Sequence, residues 1–298
     1  QTDMLRAIHF VGWAYIPDGI GRPILFLASC GWVVSEGGDL DAVSTLLILT
    51  TVMLSLLIVQ ALMGWMKAPT NFKKTEKLNE PRVWFTVAAP LLLTGVFTIM
   101  FTQAAILMVG WLLTPADAGV YTAASKLAFL VNFVLMVVNT VAAPMFALLH
   151  SQGNIKELNK LVSHLAHWVF WPSLFVALFI AAMGDWLLTL FGPDYIKGQT
   201  ALLILLIGQM VNAGAGSVGY LVDLTGHQKE GARIRGYCAL ILIILCSILI
   251  PLFGIEGAAV SVTLTMTLWN IWLHAIVKKN FHFGSSIISA LSVKKMSI

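Results

Sequence analysis

Residues 120–149 read VYTAASKLAFLVNFVLMVVNTVAAPMFALL, and Lys126 is the one side chain among them that is charged at neutral pH. In a helix, at 1.5 Å per residue, such a run reaches about 45 Å, more than the ~30 Å hydrocarbon core of a bilayer. Its neighbours are alike: several further runs exceed the length needed to cross.

The whole chain is 58% hydrophobic and 11% charged over 298 residues, with a mean hydropathy of +0.87. Soluble domains carry about a quarter of their residues charged, and a water-soluble fold with so little polar surface would aggregate. The fold class expected is therefore an all-α polytopic membrane protein. Eight spans are expected, over 21–36, 43–65, 84–113, 118–148, 162–191, 199–224, 236–253 and 256–277. Cys30, Cys238 and Cys246 have no paired spacing and read as small buried hydrophobes rather than a disulfide or metal framework.

The net charge of +4 is a topology signal. Residues 67–82 (KAPTNFKKTEKLNEPR), 150–160, 226–236 (GHQKEGARIRG) and the tail after the last span alternate with short acidic loops: SEGGDLDA, TPADAG, FGPDYIKG and FGIEG. Counting Arg6 and Arg22, sixteen of the eighteen basic residues fall on one side. By the positive-inside rule that side is cytoplasmic, with both ends of the chain inside. Lys197 and Lys126 are the exceptions. The basic balance thus gives no nucleic-acid surface.

Lys126 comes about 13 Å below the outer end of its span, near mid-bilayer. A lysine there costs about 2.5–3.5 kcal/mol on insertion scales, and its stem is too short to snorkel comfortably. Either it lines a wet cavity and awaits an anion, or a carboxylate pairs with it structurally; no acid at matching depth is evident. Tyr121, Asn132 and Asn139 share a face more than about 90° from Lys126, which suggests two separate jobs, helix–helix amide bonding and a cationic cavity wall. Glu256, Thr263, Thr267, Asn270 and His274 fall within an arc of about 60°, facing bundle or cavity. Gly208, Asn212, Gly216 and Gly219 form a small-residue face for close helix packing. Thr122, Gln209, Asn212, Thr263, Thr267, Asn270 and His274 are the candidate cavity-lining residues. Asp223 reads as reaching water near the cytoplasmic end.

Pro90, Pro144 and Pro172 are plausible bending points. His164 and His167 lack a third ligand nearby in sequence and read as interfacial rather than as a metal pair. Since GxSxG, HExxH, Walker loops and paired carboxylates are missing, the chain does not read as an enzyme, and no metal or cofactor is expected.

Five stretches together resemble one family. They are AGVYTAASKLAFL (118–130), VNTVAAPMFALLHSQGNIKELNKL (138–161), LTLFGPDY (188–195), LLILLIGQMVNAGAGSVGYLVDLTGHQKE (202–230) and IPLFGIEGAAVSVTL (250–264). In this order between spans they resemble bacterial polysaccharide flippases of the Wzx type, in the superfamily shared with MATE exporters and the lipid II flippase. The match covers about residues 84–280, and LRAIHFVGWAYIPDGIGRPILFL fits the connection into the fifth helix.

The resemblance implies two six-helix lobes around a central cavity, of which this chain supplies the C-terminal two-thirds. Its parts are then an interfacial segment (1–20), the last two helices of the first lobe (21–66), a basic cytoplasmic linker (67–83), the six-helix second lobe (84–278) and a cytoplasmic tail (279–298). The chain, which begins at Gln1, is expected to be a portion of a longer protein or the product of a truncated gene. The implied substrate is a polyprenyl-diphosphate-linked oligosaccharide turned from the inner to the outer leaflet of the cytoplasmic membrane, with Lys126 as the diphosphate-binding residue. Implied partners are that lipid, the bilayer and polysaccharide assembly proteins; coupling to H⁺ or Na⁺ stays open. The rival readings are a MATE-type cation-coupled drug exporter, a membrane-embedded glycan polymerase or ligase, and a non-transporting assembly partner.

Overall fold

Proline and glycine set where the helices begin and end. The computed structural model describes residue 17 and residues 21–38, 41–67 and 81–281, and every regular element among them is helical. The segment expected to be interfacial, most of the expected linker and the tail beyond residue 281 lie outside the described residues. The chain divides into two compact units, Gln1–Asn79 and Glu80–Ile298.

In the first unit, α1 (Arg22–Ser35) starts with Pro in its first turn, where a missing N–H costs nothing. The chain turns at Gly37, whose φ of 78° suits glycine. α1, of 14 residues, reaches about 21 Å at the helical rise and lies within the first expected span. α2 (Ala42–Lys67) packs on α1. Asp41 precedes α2 and accepts a hydrogen bond from the Ser44 amide at 2.8 Å and another from the Ser44 hydroxyl. These bonds hold the Asp41 carboxyl below its ordinary range. The stabilisation from this cap is therefore complete above the ordinary carboxylate pKa and fades as pH falls through the lowered folded value.

The second unit contains α3 (Pro81–Leu112), α4 (Pro115–Ser151), α5 (Ile155–Thr189), a 3₁₀ turn (Pro193–Gly198), α6 (Gln199–Ala215), α7 (Val218–Leu224) and α8 (Gln228–Phe281). Thr114 caps α4: its Oγ1 accepts from the Asp117 amide at 3.1 Å and its hydroxyl donates to the Asp117 carboxylate at 2.6 Å. Gly153, at φ 69°, ends α4, and the Asn154 side chain then caps α5 by accepting from the Glu157 amide at 3.3 Å. Among the described residues, five helices are long and apolar enough to cross a membrane, six if the bent pair within α3 is one span. The chain is an all-α polytopic membrane protein.

Two glycines break the helices of this unit. The single span expected over 199–224 is interrupted at Gly216, whose φ of 71° and ψ of −147° only glycine adopts easily. Likewise α8 is two helical arms meeting at Gly254, φ 61° and ψ −139°. The arms run back against one another: the Gly257 backbone abuts the Leu249 carbonyl so closely that a Cβ would not fit, and the Tyr237 and Trp272 rings lie 6.2 Å apart. The first arm begins at Gln228, so Arg235, expected in a cytoplasmic loop, lies about two turns inside a helix.

Two buried clusters hold the second unit together. One joins α3, α4, α6 and α8 through Val109, Ala124, Val131, Leu202, Leu242 and Ala258. The other joins α4, α5, α7 and α8 through Phe146, Leu158, Leu221, Cys238 and Leu273. Lipid tails are as apolar as leucine, so close packing supplies much of the cohesion between such helices. At Gly208 of α6 an added Cβ would sit 2.8 Å from Thr263 Oγ1 and 3.3 Å from Thr263 Cα on α8. The Thr263 hydroxyl also donates to the Ile204 carbonyl of α6 at 3.0 Å. Gly208→Leu is therefore expected to destabilise the bundle by about 1–3 kcal/mol through overpacking. Thermal unfolding in detergent checks this, with Gly31→Leu as the control because nothing lies within 4 Å of a Cβ there.

Candidate functional site

Where α3, α4, α6, α7 and α8 diverge they border a half-open cavity of about 620 Å³, within the range of small-molecule sites. Its wall on α4 covers a broad arc. Lys126 lines it, and so do Tyr121, Asn132 and Asn139, which corrects the expectation of two separate faces. The reason is that Ser125, Phe129 and Met136 occupy the intervening angular positions of α4 and face the same space. Cationic and amide groups therefore share one chamber.

Among the described residues, no carboxylate stands within ion-pair distance of Lys126. An intramembrane charge normally pairs or faces water; this one is exposed and lines the cavity. Beside it an amide chain crosses three helices. Asn212 of α6 donates to Asn132 of α4 at 3.1 Å, and Asn270 of α8 donates to Asn212 at 3.2 Å. Asn270 also donates to the Met266 carbonyl at 2.9 Å.

Of the expected lining residues, Gln209, Asn212 and Asn270 face the cavity. Thr122, Thr263, Thr267 and His274 are not in its wall. The threonine hydroxyls are spent on helix carbonyls: Thr122 donates to Ala118 at 2.6 Å, Thr267 to Thr263 at 2.8 Å, and Thr263 bridges to α6. On α8 the polar stripe therefore turns from packing at Thr263 to the cavity at Asn270. His164 and His167 place their Nδ1 atoms 2.9 and 3.1 Å from the Lys160 and Ser163 carbonyls of their own helix.

Arg235 is the functional candidate that sequence reasoning missed. It is buried, and its guanidinium donates to both Asp223 carboxylate oxygens, at 2.9 and 2.5 Å. It also sits 5.6 Å from the centroid of the Trp269 ring, within cation–π range. Phe101 meets Trp269 edge-on at 5.1 Å and fixes that ring in the wall. Asp223 ends α7 and Arg235 lies early in α8, with the Gly226 turn (φ 85°) between them. A signal existed: Ile234, Cys238 and Leu242 recur every four residues and are buried, so Arg235 borders a buried stripe. Asp223, expected to reach water, keeps a 36% exposed side chain and is also held by this partner.

Among the described residues the cavity thus offers one unpaired cation, one internally neutral ion pair and a belt of amides, inside an apolar bundle. Such a site suits a ligand with a separated anionic part and hydroxyl-rich part. Comparison with curated proteins and with solved structures gives no match. A family model described as "Polysaccharide biosynthesis protein" matches residues 43–197, just over half the chain, and takes in the α4 wall with Lys126, Asn132 and Asn139. The chain belongs to the polysaccharide biosynthesis protein family.

Proposed function

We propose that this chain forms part of a flippase of the Wzx type that moves polyprenyl-diphosphate-linked oligosaccharides from the inner to the outer leaflet of the bacterial cytoplasmic membrane. The observation that carries this reading is Lys126, a cation with no counter-ion among the described residues, in the wall of a cavity within a membrane bundle. A diphosphate crossing a low-dielectric interior must replace its hydration, and a fixed cation in a wet cavity offsets that cost. The charge distribution along the loops supports a cytoplasmic position for both ends. Alternating access requires elements that can move, and the Gly216 break in the cavity wall supplies non-helical backbone where a cavity tolerates it.

A cation-coupled drug exporter would need an available intramembrane carboxylate. Asp223 lines the cavity, but both its oxygens accept from Arg235, which favours the anionic substrate.

The test is reconstitution of the full-length protein in liposomes loaded with a fluorescent polyprenyl-diphosphate oligosaccharide. Movement of the glycan into reach of an external glycosidase, on a timescale at which protein-free liposomes show none, is expected. Equal rates with and without protein would overturn the reading.

A further inference from the structure

The outward face of α5 changes its chemistry steadily along one line. Lys156, Lys160, His164 and Trp168 follow one another at four-residue spacing, Trp171 and Phe175 continue the line, and all six are exposed. At 100° per residue they fall within an arc of about 120°, while Leu158, Val162, Ala166 and Val169 are buried on the other side. Two ammonium groups thus lead through an imidazole to a row of bare aromatic rings.

The tryptophans fix the depth of this helix. Tryptophan settles at the membrane–water interface, and exposed Trp168 and Trp186 are separated by about 27 Å at the helical rise, against a hydrocarbon core of ~30 Å. Trp171 and Phe175, 61% and 73% exposed, therefore stand inside the core, where acyl chains cover them. His164 comes about 6 Å beyond Trp168 and Lys160 about 12 Å. The headgroup region adds about 5–8 Å on each side of the core, and the flexible stem of a lysine spans the remaining gap. Whatever lipid lies on the aromatic rings brings its headgroup up to these cations.

Little opposes them. Glu157, the acid at this end of α5, meets Lys160 at 2.8 Å, with the two side chains 50% and 65% exposed; a solvated pair of this kind is weak and yields to another anion. Lys156 has no ion pair among the described residues. α4, which packs along α5, has no side chain charged at neutral pH from 127 to 149. The N-terminal end of α5 adds the positive pole of its own dipole.

We propose that this face of α5 is a binding site for an anionic phospholipid, its phosphate held at Lys160 and His164 under the pull of Lys156, and its acyl chain laid along Trp168, Trp171 and Phe175. A zwitterionic phospholipid covers the same rings without the net attraction. A soluble anion meets the lysines and leaves the rings uncovered. Among the described residues α5 contributes nothing to the cavity wall, so the site is independent of the transported substrate.

The test uses the full-length protein in phosphatidylcholine nanodiscs that contain a minor fraction of brominated phosphatidylglycerol or, separately, the same fraction of brominated phosphatidylcholine. Bromine quenches tryptophan on contact, and subtracting the signal of Trp168→Phe/Trp171→Phe isolates the two rings of the site. A lysine near the surface favours an anionic lipid by about fivefold, and Glu157 offsets part of the pair's effect. The local enrichment read from quenching is therefore expected to favour phosphatidylglycerol by about threefold or more. Lys156→Gln/Lys160→Gln, which touches two exposed side chains, should bring the preference close to one. Lys278→Gln/Lys279→Gln, the same charge change at the end of α8, should leave it unchanged.

Equal quenching by the two brominated lipids in the wild type would overturn the proposal. So would a preference that survives Lys156→Gln/Lys160→Gln, or one that falls equally in Lys278→Gln/Lys279→Gln, since the overall charge of the protein would then be its source. Loss of the preference on adding millimolar inorganic phosphate at constant ionic strength would make the lysines a site for soluble anions and remove the lipid as their ligand.

Discussion

Lys126→Ala is expected to reduce translocation of a polyprenyl-diphosphate oligosaccharide by two to three orders of magnitude, while Lys126→Arg retains a measurable rate. The size follows from Coulomb's law. A unit charge pair at 4 Å and an effective dielectric near 20 interacts by about 4 kcal/mol, and each 1.4 kcal/mol is about tenfold. Arginine keeps the charge but spreads it over a planar fork of different reach, so it replaces a point cation only in part. The same substitution should leave folding intact or improve it. Lys126 has no ion-pair partner among the described residues, and an intramembrane ammonium costs about 2.5–3.5 kcal/mol to insert. Transport and stability should therefore move in opposite directions. Liposome transport rates and thermal unfolding, measured on the same preparations, give both readouts. An alanine variant that transports at the wild-type rate would remove Lys126 from the mechanism, and one that merely unfolds would make the lysine structural.

The second large effect concerns Arg235 and Asp223. Arg235 is 7% exposed at the side chain and Asp223 36%, and that asymmetry sets the expected ranking. Asp223→Leu strands a buried guanidinium that cannot lose its proton, so it should cost about 3 kcal/mol, the lower end of the range for breaking a buried pair. Arg235→Met leaves a carboxylate that reaches solvent or protonates, and should cost less. The double variant Asp223→Leu/Arg235→Met removes both charges and should lie within about 1 kcal/mol of wild type. A double-mutant cycle by chemical unfolding in detergent measures the coupling. Additive single effects would mean that the pair contributes nothing jointly. If the pair is instead a device that the substrate opens, the double variant would be stable and transport poorly.

Much of this molecule is visible in its residues without a structure. The low charge content and the long apolar runs determine that the chain lies in a membrane as helices, because backbone polar groups in lipid can be satisfied only within helices or closed barrels. Gly208 reads as a close-packing position from its small-residue neighbours, and the Thr263 contact is the kind that such a position allows. Gln209, Asn212 and Asn270 could be singled out as candidates because amides inside apolar runs must face protein or water rather than lipid.

Only the tertiary structure decided the rest. Helical angles alone separated Lys126 from Asn132 and Asn139, but the cavity embraces more of α4 than one stripe, and the width of a void depends on how several helices diverge. Thr122, Thr263 and Thr267 look like cavity residues by composition, yet their hydroxyls bond to helix carbonyls, an outcome set by local geometry that leaves no mark in residue type. Arg235 was hidden by its neighbourhood: basic residues around a turn are normally solvated, and nothing but the fold brings Asp223 within 2.5 Å of it. Hydrophobic burial is a property of each residue's own chemistry and so can be summed along a chain. Pairing between charges and the shape of a cavity arise between residues distant in sequence, and only the packed arrangement assigns them.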